Sequence, residues 1–452
     1  MNEEKGPDTA LSEAGPVSAR SEAPGSKTAQ NEEAQDESPI ATEIERFVNH
    51  LNSLGSSLAV TMFVMNRTLK YARKLYDEFV GECEVVSIGP PKKFRVSPDR
   101  DHEYIRLEKQ LQRSHIATSV VPKSFVVALV SQFDAYLGGL VRAFINLKPE
   151  LLNGSERILT FKELKEFNSL EGARDFILEK EIESLLRESH PQQFSWMENK
   201  FKIKLTENLP SWPTFVEVTE RRNLFVHCDG VVSRQYLKVC GEQGVEGLTG
   251  LQPGSVLWVS PEYFSKAQEC ILEIGVKLGH VLWRKLCPEQ RAEADANFSD
   301  VCFGLLQEAN YRPAKELLNF AVTGLKKHST DEVRRIFVIN YAQAQKWVGD
   351  QQGCVATLEA EDWTACDDKF QIAIAVLKDD FDRAIGLVGR MGPKGQIEKS
   401  SYRSWPIFQE LRKRKDFREA YSKVFGEEFE KSKTEAAPPS EVGEPPADKT
   451  IN

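Results

Sequence analysis

No two of the eight cysteines in this 452-residue chain form a C-x-x-C pair, and the seven histidines do not gather beside them. That excludes a disulfide framework and a zinc site of ordinary spacing, and it suits reduced thiols in a cytoplasmic protein. No G-x-x-x-x-G-K-[ST] loop and no clustered Asp/Glu/His set occurs, so an NTPase and a metal-dependent nuclease have no footing. No cofactor is expected. An excess of positive charge is also lacking, with 59 Lys and Arg against 68 Asp and Glu. A net charge of −9 argues against a general nucleic-acid coat, so any RNA contact must be local. No apolar run reaches the roughly 18 residues of a membrane span. The nearest, Leu58 to Met65, is followed at once by Asn66 and Arg67, as a buried bundle helix would be.

Both ends hold little to bury. Met1 to about Ile40 is rich in Glu, Ala, Ser and Pro and has no aromatic residue, so 1–40 is expected to be a disordered tail. It has neither the basic start nor the apolar core of a signal peptide. The stretch 430–452, rich in Pro and Glu, is expected to be a second tail.

What the chain does have is helical periodicity. Ile44, Phe47, Val48, Leu51 and Leu54 recur every three or four residues, predicting a helix from Ala41 to about Cys83. Paired prolines in Val85 to Ser97 break it, leaving a short strand or loop in which Lys92, Lys93 and Arg95 surround Phe94. That loop is read as solvated, with an RNA-backbone contact as the alternative. A polar helix begins over Tyr104–Arg113, and a strongly apolar one runs from Lys123 to Leu147. Thr160 with Glu163 forms a capping box, and further helical segments cover Gly172–Ser189 and Gln192–Lys204. Ser255–Val259 is a strand candidate. Ser260-Pro261 then opens a helix continuing to Leu286.

The stretch that organises the rest is Thr214 to Tyr236, TFVEVTERRNLFVHCDGVVSRQY. Thr214 followed by Glu217 reads as a capping box behind Pro213, and Asp229-Gly230 as a stop in a left-handed turn. At ~100° per residue, Val216, Glu220, Asn223 and His227 fall on one ridge, with Arg222 beside it. Most other sides are apolar, so the helix should be buried in a core or an interface. Arg222, Asn223 and His227 must then be paired or employed. An Arg and a His near a helix end also serve plain structure, one pairing with a carboxylate and the other bonding a free carbonyl.

Arg222-Asn223-Leu-Phe-Val-His227, followed by a glycine and Tyr236, resembles the R-N-x-x-x-H signature of HEPN domains, closest to the RiboL-PSP type. The resemblance covers Ile44 to Cys287 and is sharp over the motif helix. It implies a helical bundle over 41–288 that dimerises through the motif helix, so that two motifs face one cleft and cleave RNA without metal. Prokaryotic stress or antiviral defence is the implied setting. Some HEPN toxins carry a tyrosine two residues after the histidine, modified by a partner nucleotidyltransferase. Asp229 stands there in this chain, so that mode of control does not carry over.

The residues themselves suit the chemistry. RNA supplies its own 2′-OH nucleophile, so cleavage needs a base, an acid and a cation for the phosphorane charge. His227 can serve as base or acid, Arg222 can fork onto phosphate oxygens, and Asn223 can orient the ring or the phosphate. Glu220, Asp134 and Tyr236 are supporting candidates, Asp134 by pairing with Arg222 or orienting His227. The other reading is an inactive HEPN scaffold or nucleotide-binding interaction protein, in which Arg222 pairs with a carboxylate and excludes phosphate.

Beyond Cys287-Pro288 the texture changes. Asn310-Tyr-Arg-Pro-Ala314 and Asp380-Phe-Asp-Arg-Ala384 share a pattern that resembles degenerate tetratricopeptide-like hairpins, and an ordinary helical bundle would show paired alanines too. The expected fold class is therefore mainly α, with a helical repeat-like domain over 289–429 where a trigger or protein partner binds. Arg412 to Lys415, beside Trp405 and Phe417, is read as a solvated turn, with a single-stranded RNA clamp as the alternative.

Overall fold

Helices carry nearly all of the architecture. The computed structural model describes residues 38–87, 89, 93–154, 157–167 and 169–429. Most of the two expected tails, along with Pro90, Pro91 and Lys92, lies outside the described residues. The first helix starts sooner than the tail boundary allowed, because Ile40 is fully buried.

In chain order the elements are α1 (Pro39–Gly81), β1 (Glu84–Ser87), β2 (Lys93–Arg95), α2 (Asp101–Leu147), α3 (Phe161–Leu164), α4 (Leu170–Arg187) and α5 (His190–Phe201). Then follow α6 (Trp212–His227), α7 (Arg234–Glu242), α8 (Pro261–Leu286), α9 (Arg291–Gln307), α10 (Tyr311–Asn319), α11 (Asp331–Trp347) and α12 (Gln351–Glu359). The last are α13 (Asp368–Leu377), α14 (Phe381–Met391), α15 (Ser401–Ser404) and α16 (Lys415–Phe425).

Helices α1 and α2 run antiparallel as one long hairpin. Leu58, Met62, Met65, Leu69 and Ala72 step by four and three along α1, as do Tyr104, Leu107, Leu111, Ser114 and Thr118 along α2. This is the seam of a two-helix coiled coil. Its tip closes through the β1–β2 pairing of Glu84 with Arg95 and the Phe79, Phe94 and Tyr104 rings. Two separate helices were expected over 104–147, yet α2 is continuous through the buried Pro122. The seam continues across that proline to Val121 and Phe125, and the packing outweighs one lost backbone hydrogen bond. Arg95 pairs with Glu84 at 3.1 Å and Phe94 packs on Tyr104, which favours the solvated-loop reading there. Contrary to the expectation that no segment is apolar over a span's length, helix α2 is long and apolar enough to cross a membrane by length and composition, and half of its most apolar window is buried inside the fold, as in a bundle core.

At the base of the hairpin, α6 and α8 complete the bundle. The ring of Phe47 stacks on Tyr136 at 4.3 Å, and Tyr136 donates to the Gly275 carbonyl at 3.0 Å. A Cβ at Gly275 would run into the Phe47 ring, so glycine sets how closely α8 approaches. The same core continues without a break into Phe298, Leu317 and Phe337.

By contact the chain divides into two compact units. Among described residues, one holds 38–365 with 377–379, and the other holds 366–376 with 380–429. The expected boundary at 288/289 therefore falls inside the larger unit. The reason is visible in the packing, where Arg284 bonds Asp295 and the His280 ring lies 4.4 Å from Phe298. The two matched sequence patterns do open helices, α10 and α14, each with its alanine fully buried. In the smaller unit Trp405 and Phe417 are buried, and Arg412 donates to the carbonyls of Tyr402 and Trp405. Lys413 pairs with Glu410, and Arg414 with Asp382 and Asp416. These contacts favour the solvated-turn reading there.

Within the larger unit His280 is fully buried, and neither ring nitrogen makes a geometric hydrogen bond among the described residues. Burial, and then the Arg284 guanidinium, hold its imidazole well below the usual value of 6.5. Asp295 faces the same pocket. Burial raises its carboxyl, but donors from His328 and Ser329 and the charge of Arg284 outweigh burial and bring it to about 2. The unfolded chain therefore protonates residue 280 below about 6.5 while the folded chain does not, so its contribution to stability is lost as pH falls. In urea unfolding, moving from about pH 7.5 to about pH 5.5 should cost the wild type ~1.4 kcal/mol more than it costs His280→Leu. Parallel losses in both proteins would show that His280 does not titrate this way.

Candidate functional site

The motif helix does not start as its sequence suggests. It begins at Trp212 with Pro213 in the first turn, and Thr214 is not its cap. Ser211, just before it, donates to Glu273 at 2.9 Å. Glu217, the expected capping partner, is instead a buried acceptor for Arg221 at 2.6 Å, Tyr236 at 2.8 Å and Tyr263 at 2.9 Å. Three donors outcompete one exposed cap. Tyr236 is thereby corrected as well. It is 1% exposed and lies with Glu217, away from the ridge of Asn223 and His227.

The helix end is as the sequence reads. Gly230 takes a φ of +86° and donates its N–H to the Leu224 carbonyl at 3.0 Å. A Cβ there would sit 2.9 Å from the Leu257 carbonyl oxygen. Lys123 of α2 secures the turn, donating to the Asp229 carboxylate at 2.8 Å and to its carbonyl at 2.9 Å. The strand expected over Ser255–Val259 is reduced to one bridge between Val231 and Val256.

Arg222 points toward α2. Its Nη2 donates to one oxygen of Asp134 at 2.9 Å, and Nε2 of His190 lies 3.0 Å from the other. Both residues of the ion pair are about three-quarters buried, with 22% and 25% of the side chains exposed. Glu220 is buried beside them, and desolvation raises its carboxyl despite the charges of His190 and Arg222. Asn223 reaches back to Glu220 at 3.5 Å rather than forward to His227. His227 itself is exposed and makes no side-chain hydrogen bond, ion pair or ring contact among the described residues. The structure thus joins Arg222, Asp134, Glu220 and Asn223 and leaves His227 one turn further out.

His190 was not singled out from the sequence. Its helix start is legible, since Ser189 and Gln192 form a capping box around it. Its partner is 56 residues away, and nothing local announces the pairing. Beside the turn that ends the motif helix, Val226, Val256 and Trp258 are 50%, 46% and 61% exposed, with 256–258 held there by the Val231–Val256 bridge and the Leu257 N–H bond to the Gly230 carbonyl. Lys123 lies 5.3 Å from the Trp258 ring. Among the described residues no group of three His, Cys, Asp or Glu side chains is placed to hold a metal.

No protein-family model, curated protein or solved structure matches the chain.

The geometry separates the two motif residues by stability. Arg222→Ala strips Asp134 of its main counter-charge and should cost about 1–2 kcal/mol in urea unfolding. His227→Ala removes an exposed, unpartnered ring and should change stability by less than about 0.5 kcal/mol. Equal destabilisation by both would mean that His227 is tied into the fold.

Proposed function

We propose that this chain is a metal-independent endoribonuclease of HEPN type, cytoplasmic and homodimeric, acting on RNA through 2′-OH attack. The observation that carries the reading is the contrast along one helix. Arg222 is oriented by a carboxylate while Nη1 of its guanidinium has no hydrogen-bond partner among the described residues, and His227 stands exposed and uncommitted there. A guanidinium fixed beside solvent can take a phosphate oxygen, and a free imidazole can move a proton near neutral pH. His227 accepts the 2′-OH proton as the oxygen attacks phosphorus. The 5′-oxygen leaves and takes a proton from the imidazolium of a second copy. The products are a 2′,3′-cyclic phosphate and a 5′-OH. The apolar surface of Val226, Val256 and Trp258 is where the second copy docks, giving a twofold cleft with two histidines. A role in prokaryotic stress or antiviral defence, with a trigger or protein partner on the later helices, rests on the resemblance.

A second reading has its own observation. Asp134 and Glu220 offset the charges of Arg222 and His190, so a phosphate must displace a carboxylate to reach Arg222. An inactive scaffold or nucleotide-binding interaction protein would look like this.

Purified wild type should cleave single-stranded RNA in EDTA and leave cyclic phosphate ends, and His227→Ala should lose at least ~100-fold in rate while staying folded. Equal cleavage by both proteins removes His227 from the chemistry, and an inert wild type favours the scaffold. Val226→Asp should turn the dimer into monomers in sedimentation and lower cleavage with it. Cleavage that persists in such a monomer would refute a shared cleft.

A further inference from the structure

We infer that His190 is a positioning residue for Arg222, acting through the Asp134 carboxylate. The inference rests on the nuclease reading for its role in catalysis, but its geometric core does not. Three helices meet at one carboxyl group. Asp134 comes from α2, Arg222 from α6 and His190 from the first turn of α5. Each carboxylate oxygen takes one partner, so the carboxylate cannot rotate without losing one of them. Arg222 reaches Asp134 through Nη2 alone, and its buried Nε has no acceptor among the described residues. A single-point contact of this kind fixes the guanidinium only as well as the carboxylate itself is fixed. His190 supplies that restraint.

The ring is built to hold still. His190 is 4% exposed, lies edge-on to Phe215 at 5.6 Å, and packs on Phe133 at 5.9 Å. Phe133 precedes Asp134 in the chain and Phe215 lies two turns before Arg222, so one aromatic wall aligns both ends of the contact. The capping box of Ser189 and Gln192, with Pro191 in the first turn, sets the backbone at His190. A ring that only filled space would gain nothing from Nε2 facing a carboxylate, and an apolar side chain would serve better.

The variants that separate hydrogen bonding from space filling are His190→Gln and His190→Leu. A glutamine amide can place a donor where Nε2 stands, and leucine fills volume without one. Far-UV circular dichroism confirms that each is folded. The first readout is RNA cleavage. Leucine should lower kcat on the order of 10-fold to 100-fold with KM little changed, and glutamine should restore most of it. The second readout needs no activity: solvent exchange of the Arg222 Nε–H, followed by nitrogen-15 NMR and assigned with Arg222→Lys. Exchange should be slow in the wild type and in His190→Gln, and at least several-fold faster in His190→Leu. Unchanged exchange in His190→Leu, or equal acceleration in both folded variants, overturns the inference. If the wild type cleaves no RNA, the nuclease reading falls and the exchange measurement alone decides whether His190 holds Arg222.

Discussion

One carboxylate sets the geometry of the motif. Asp134 lies in the apolar stretch of α2 and accepts from Arg222 while His190 meets its other oxygen. An ionised group so far withdrawn from water is costly unless its oxygens are satisfied, and here both are. That requirement ties α2, α5 and α6 together. It also fixes which way Arg222 points and so leaves His227, further along the same helix, as the free end of the motif. Glu217 does similar work on the other face, drawing Arg221, Tyr236 and Tyr263 onto one buried acceptor. The motif helix is held by polar hubs on both sides, and its histidine is held by neither.

Around these hubs the packing is that of long helices. The α1–α2 hairpin supplies the frame, α6 and α8 fill its base, and the helices that follow α8 extend the same core. Continuity across residue 288 is the energetic consequence of apolar side chains on both sides of that point sharing one interior. A change in sequence texture is not a gap in packing. Outside the base, the hairpin buries Leu58, Ala72, Phe79 and Leu107 and exposes Val60, Phe63 and Tyr71 to solvent.

The sequence made legible whatever is local. Period and length announced the helices, Ser260-Pro261 announced the start of α8, and Gly230 announced the left-handed turn that ends α6. The mainly α class follows from these. Long-range pairing was only partly legible. Of the two roles offered for Asp134, pairing with Arg222 is the one the structure shows, across 88 residues. Its other partner, His190, lies 56 residues away, and no spacing rule points to it. The Thr214–Glu217 box misled for the same reason. Its glutamate was claimed by two tyrosines and an arginine, two of which lie beyond the helix. Pro122 misled in the opposite direction, because a coiled-coil seam carries a helix across a residue that alone would end it. The placement of Tyr236 on the buried side could not be read from its closeness to the motif in sequence.

The central claim is that Arg222, held by Asp134, presents its free edge to RNA phosphate. The most direct test is binding, apart from cleavage: a single-stranded oligonucleotide with the 2′-OH of each residue removed, titrated in EDTA against wild type and Arg222→Lys by fluorescence anisotropy. Lysine keeps the charge beside Asp134 and loses the planar fork. The account predicts salt-sensitive binding by the wild type that weakens several-fold in the lysine variant, with the fold intact. Equal binding by the two proteins, or none by the wild type, would contradict it.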